Sequence, residues 1–157
     1  MKYSSMKKSQ GLTLLELLIT LGVIVILASI GVPSYSTFMA NERFATASNE
    51  LYNAYRFARD EAIKTSTSMT LESKGGDWSN GWQVAHYSGS VATVLLLSKI
   101  PHSSIDISGA AVTVMGMGSL SGGAATFSIS LTDADKCSTL SVLSSGQSEL
   151  LKDEVCP

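Results

Sequence analysis

Residues that carry catalysis or hold metals are scarce in this chain. Its 157 residues include two cysteines and two histidines. His86, His102, Cys137 and Cys156 share no metal-ligand spacing, whereas zinc takes three or four such ligands. Asp133 and Asp135 in LTDADK fall short of the six to eight oxygens around a calcium ion. The many serines are not accompanied by a G-x-S-x-G elbow. GMGSLSGG, Gly116 to Gly123, lacks the strand, tight turn and helix start of a phosphate loop. Neither an enzyme, a resident metal nor a cofactor is therefore expected. Charged residues make up only 15% of the chain, but an apolar content of 45% excludes disorder and suits a small globular domain with an apolar extension.

What charge there is lies unevenly. Lys2, Lys7 and Lys8 precede an apolar run with no acid among them, whereas from Ser34 onward eight basic residues meet twelve acidic ones. That asymmetry predicts an N-terminus on the cytoplasmic side of a membrane, with the bulk of the chain outside the cytoplasm. Both cysteines fall in that bulk, where an oxidising compartment permits a bridge. The run itself, Leu12 to Val32, is 21 residues long and interrupted only by Thr13, Glu16, Thr20, Gly22, Ser29 and Gly31. At about 1.5 Å per residue it matches the roughly 30 Å of a bilayer core. A secretory signal has an apolar region of about 7 to 15 residues. Ala28-Ser29-Ile30-Gly31 is a poor cleavage site, and no better one follows Pro33. A plain anchor explains length and orientation but not Glu16, since a charged side chain near the centre of a membrane helix costs about 2.5 to 3.5 kcal/mol.

A basic leader ending in Gly11, followed by LTLLELLITLGVIVILASIGVP, resembles the class III signal of type IV prepilins and type II secretion pseudopilins. The resemblance implies that a prepilin peptidase cuts between Gly11 and Leu12, that Leu12 is then N-methylated, and that the apolar helix stays on the mature protein. Glu16 and Pro33 fall where that family carries its glutamate and its helix-perturbing proline; Leu12 stands where it usually has phenylalanine. The resemblance also gives Glu16 a role: in the filament core its carboxylate would neutralise the N-terminal amine of a neighbouring subunit and fix axial register. An unpaired charge there would be costly.

Beyond Pro33 the helical period continues on one face through Phe44, Ala47, Leu51, Tyr55, Ala58 and Ala62, predicting one long helix to about Lys64. Pro33 has no amide hydrogen to give, so a kink or local melting is expected there. From Thr65 the pattern changes to short strands over 69–73, 81–87, 91–98, 104–107, 111–115, 126–131, 138–143 and 149–155, with TFSISL the clearest alternation. DWSNGWQV, Asp77 to Val84, places Trp78 and Trp82 around an Asn80-Gly81 turn. With ARDEAIK, Ala58 to Lys64, it resembles the FimT, FimU and GspH group of minor pilins and pseudopilins. The expected organisation is a leader over 1–11, a membrane and filament-core helix over 12–33, an amphipathic helix over 34–65 and a β-rich head over 66–157, an α+β pilin-like fold.

A two-residue type II′ turn at Gly146-Gln147 would set Cys137 directly opposite Cys156, within reach of a disulfide; two unpaired buried thiols are the alternative. The resemblance implies a minor pilin acting in assembly or initiation of a type IV pilus, with other pilins, the peptidase and the inner membrane as partners. A type II secretion pseudopilin and a DNA-binding pilin for transformation are its alternatives. Members of the group that capture DNA resemble one another in a basic G-R-x-R stretch. Here Gly146 to Glu149 reads GQSE, and Lys136 and Lys152, the nearest cations, are surrounded by Asp133, Asp135, Asp153 and Glu154. Nucleic acid is therefore not expected as a partner.

Overall fold

The computed structural model describes residues 13–132, 134 and 136–154. Gly11, Leu12, Asp133, Asp135 and Cys156 lie outside the described residues. Among the described residues one α-helix, α1 (Leu14–Thr65), is followed by eight strands: β1 (Met69–Ser73), β2 (Trp82–Ser88), β3 (Val91–Leu97), β4 (Ile105–Ser108), β5 (Val112–Val114), β6 (Ala125–Leu131), β7 (Lys136–Val142) and β8 (Ser148–Glu154). By compactness the chain divides into two units between Met39 and Ala40.

In the first unit residues 13–38 are all exposed, and the helix there is long and apolar enough to cross a membrane. Its start is capped: Thr13 Oγ1 accepts the backbone N–H of Glu16 at 3.2 Å, half of a Thr-x-x-Glu capping box. Helical structure runs through Pro33 without interruption, so the melting expected at that proline is absent from the isolated chain. The Pro33 carbonyl accepts from Ser36 Oγ at 2.8 Å and Thr37 Oγ1 at 3.2 Å.

In the second unit α1 turns one face inward. Phe44, Ala47, Ser48, Leu51, Ala54, Tyr55, Ala58 and Ala62 are buried, and they include all six positions of the expected stripe. Alanine at four of them lets strands approach the helix closely. The strands form two four-stranded antiparallel sheets, ordered β3-β2-β1-β5 and β4-β6-β7-β8. One core cluster joins α1 to both, with Leu71, Val84 and Val114 from the first sheet and Phe127, Ile129 and Leu140 from the second. Each such side chain contributes about 1.5 to 3 kcal/mol when fully buried.

Trp78 ties the sheets together. Its ring meets Phe127 edge-on, centroids 5.4 Å apart, while its indole N–H donates to the Gly109 carbonyl at 2.9 Å. Asp77 Oδ1 caps the short turn that carries Trp78 by accepting the Ser79 N–H at 2.9 Å, and that bond holds its carboxyl below the usual carboxylate range. Gly81, at φ +87°, ends the turn; a Cβ there would strike Ser98 Oγ.

The C-terminal hairpin departs from expectation. Leu143 N–H donates to the Gln147 carbonyl, and Gly146 N–H donates to the Leu143 carbonyl, both at 2.8 Å. Gly146 has φ +84°. The loop is thus Ser144-Ser145-Gly146, a turn followed by a left-handed glycine, rather than a Gly146-Gln147 type II′ turn. Register moves with it: Val142 pairs with Ser148, and after an irregularity between Cys137 and Thr139, Cys137 faces Glu154 instead of Cys156.

Candidate assembly site

Between residues 13 and 33 the side-chain hydroxyls bond to their own helix, and Glu16 is the exception among the polar side chains. Thr20 Oγ1 donates to the Leu17 carbonyl at 2.8 Å and Ser29 Oγ to the Ile26 carbonyl at 2.7 Å, as Ser36 and Thr37 do to Pro33. Such back-bonding lets a hydroxyl enter hydrocarbon without an outside partner. Among the described residues the Glu16 carboxylate has no hydrogen-bond or ion-pair partner, and Leu14, Leu15, Leu17 and Leu18 around it are exposed. Its place in the first turn suits a negative charge, because the free N–H groups of a helix start carry partial positive charge. Thr13 is not among the expected site residues, although its Thr-x-x-Glu spacing marks it as a cap. Gly11 and Leu12, the expected processing pair, lie outside the described residues. Pro33 lies on the same helix, with Ser29 and Gly31 before it.

The head is closed by contacts no local pattern announced. Tyr55 Oη donates to the Gly146 carbonyl at 2.8 Å, and Arg59 Nε donates to the Gly118 carbonyl at 3.1 Å. Burial pushes the Tyr55 phenol above its ordinary value, partly opposed by the Arg59 charge. Arg59 belongs to the ARDEAIK stretch, so the helix end named by resemblance is the part that clasps two glycine loops. Beside it Arg56, Arg59, Asp60, Gln147 and Glu149 line an open cleft of about 500 Å³. The GQSE stretch thus borders two arginines but sets Glu149 against them.

Cys137 is buried on β7, and Cys156 lies outside the described residues. Lys136 and Lys152 do come together, in a cleft of about 210 Å³ also lined by Asn41 and Glu42. Lys152 Nζ donates to Asn49 Oδ1 at 2.7 Å. The two histidines serve separate elements: His86 Nδ1 bonds the Ser68 carbonyl at 2.9 Å, while His102 Nε2 meets the Arg43 guanidinium at 3.0 Å.

A family model described as type II transport protein GspH matches residues 47–146. A second, for the prokaryotic N-terminal methylation motif, matches residues 6–32. The fold is similar to that of the type IV minor pilin FimU of Pseudomonas aeruginosa, with TM-score 0.65, 22% identity and coverage of 76% of this chain and 96% of that one. A second crystal form of FimU gives 0.60, 22%, 72% and 96%. The minor pseudopilin EpsH from the Type 2 Secretion System of Vibrio cholerae gives 0.57, 11%, 69% and 95%. No curated protein matches the chain significantly.

Proposed function

Because the chain belongs to the type II transport protein GspH family and is a minor pilin or pseudopilin, we propose that it acts as a non-enzymatic subunit in the assembly or initiation of a type IV pilus. The carrying observation is the Glu16 carboxylate, without a partner among the described residues in an apolar segment, residues 13–33, whose hydroxyls bond to their own backbone. In this reading residues 1–11 are removed by a prepilin peptidase at Gly11 and Leu12. Residues 12–33 wait in the inner membrane with the N-terminus cytoplasmic, 34–65 continue the helix, and the head over 66–157 stands in the periplasm.

On joining a filament, Glu16 accepts the amine of an adjacent pilin, and removing one member of such a buried pair costs about 3 to 5 kcal/mol. Pro33 lacks the amide hydrogen that would tie it to the preceding turn, so the helix loosens there if packing demands it. The family description favours a second reading, a subunit of a type II secretion pseudopilus. DNA capture is disfavoured by Gln147, Glu149 and the acidic excess after Ser34.

The test is Glu16→Ala in the native host. The variant should be processed and reach the membrane yet fail to enter sheared filaments or to co-purify with other pilins; normal incorporation would remove the charge-pairing argument. Deleting the whole chain separates the two readings, through loss of surface pili in one case and of protein secretion in the other.

A further inference from the structure

β3 is an outer strand of its sheet, and its sequence, VATVLLL, carries neither charge nor proline. Edge strands of soluble proteins are normally blunted by charges, prolines, bulges or a covering element. β3 has a bulge, at Leu95, between the pairs Val84↔Leu96 and Ala85↔Val94. All its residues but Leu96 are exposed, Val91 by 68% and Leu97 by 56%, and Ile100 just beyond by 69%. Beside the strand, Ala54 and Phe57 of α1 join Trp82, Leu96 and Leu97 in an open, mainly apolar groove of about 460 Å³, which Glu50 and Lys99 also line. No charged residue occurs from Tyr87 to Ser98.

We infer that this face docks the head of a neighbouring filament subunit that presents an uncharged, apolar surface. The occupant follows from size and charge. Seven residues at about 3.3 Å each give a strand roughly 23 Å long. With the groove, the contact is on the order of a few hundred Å², well below the roughly 1,200 Å² at which free-standing interfaces become stable. A soluble partner or a second free copy would not be held. A subunit whose own helix is already bundled with α1 is different: tethering places it at an effective concentration in the millimolar range, where a small contact suffices. The strand itself offers no charge to a partner, Glu50 and Lys99 being confined to the groove beside it, and the bulge at Leu95 breaks the line of main-chain groups, so apolar side chains carry the contact. This inference rests on the filament reading above.

The experiment places photo-reactive benzoylphenylalanine at Val91, at Leu97 and, separately, at Ile19 of the apolar helix, in the full chain within its native host. Val91 and Leu97 should each give an adduct that mass spectrometry identifies as a different pilin or pseudopilin subunit, at least tenfold reduced by Glu16→Ala. Ile19 should cross-link in the same Glu16-dependent way. Adducts from Ile19 with none from Val91 and Leu97 would overturn the docking face while leaving the filament reading standing. A β3 adduct of twice the chain's own mass, or one to a protein without the N-terminal motif, would overturn it equally. Silence at all three positions would remove the filament reading, and the docking face with it.

Discussion

Gly146→Ala tests the closure of the head most sharply. At φ +84° an alanine pays about 1 to 2 kcal/mol in backbone conformation alone. The new Cβ would also fall on the Gly118 carbonyl oxygen and within 2.8 Å of Arg59 Nε. The Gly118 oxygen is backbone and cannot swing aside, so the hairpin must lift. Lifting separates Tyr55 Oη from the Gly146 carbonyl, now 2.8 Å apart, and a buried group left unpaired costs about 1 to 3 kcal/mol. The sum is about 2 to 5 kcal/mol, a large part of the roughly 5 to 15 kcal/mol that holds a domain folded. Gly123→Ala is the control: its φ is +89°, but a Cβ there meets nothing within 4 Å, so only the backbone cost of about 1 to 2 kcal/mol applies. Urea unfolding of the full chain in detergent, followed by the fluorescence of buried Trp78 and Trp82, measures both. Equal losses in the two variants at unchanged m-value would refute the close approach of the two glycine loops.

Mass spectrometry of protein from a host with prepilin peptidase should find an N-terminus at methylated Leu12; retention of residues 1–11, or cleavage after Ala28 or later, would contradict processing at Gly11. Cys137 and Cys156 should be bridged in periplasmic protein. Although Cys137 faces Glu154 in the ladder, Cys156 follows only two residues later, and closing a loop of about 20 residues stabilises by roughly 3 kcal/mol. Thiol labelling without reductant reads this directly, and two reactive thiols would end the proposal. The Tyr55 phenol is raised by burial, so its contribution is complete below the unfolded value near pH 10 and is lost as pH rises through the higher folded value. Tyr55→Phe should lower the urea midpoint at pH 8 yet flatten its decline toward pH 11.5; parallel declines would speak against it.

The head's strands were legible because each is short, alternating or β-branched, and bounded by glycine, serine or asparagine, which turn the chain cheaply. All eight segments became strands, and the helical stripe was visible because three- and four-residue spacing repeats from Phe44 to Ala62. What failed is instructive. A glycine in a hairpin fits either the first place of a type II′ turn or the left-handed place after a type I turn, so Gly146 announced a turn without fixing the register. VATVLLL was legible as a strand but not as an exposed edge, since composition does not record which neighbours a strand will have. Tyr55 and Gly146 are 91 residues apart in sequence, and no local periodicity links them. At the candidate assembly site Glu16 and Pro33 stood out by their offsets, whereas the self-bonding of Thr20, Ser29, Ser36 and Thr37 has no sequence signal of its own.

That self-bonding makes the apolar helix indifferent to its solvent. The hydroxyls of Thr20 and Ser29 keep the same partners whether lipid tails or other helices surround them, so the proposed move from bilayer to bundle leaves no polar side chain there but Glu16 in need of a new partner. The difference between the two surroundings is then read chiefly by a single ionisable group, Glu16. On the filament reading, the step between membrane and fibre is gated by the Glu16 charge pair, where loss of either partner costs about 3 to 5 kcal/mol. Any added polar residue in this segment that could not bond to its own backbone would create a second gate.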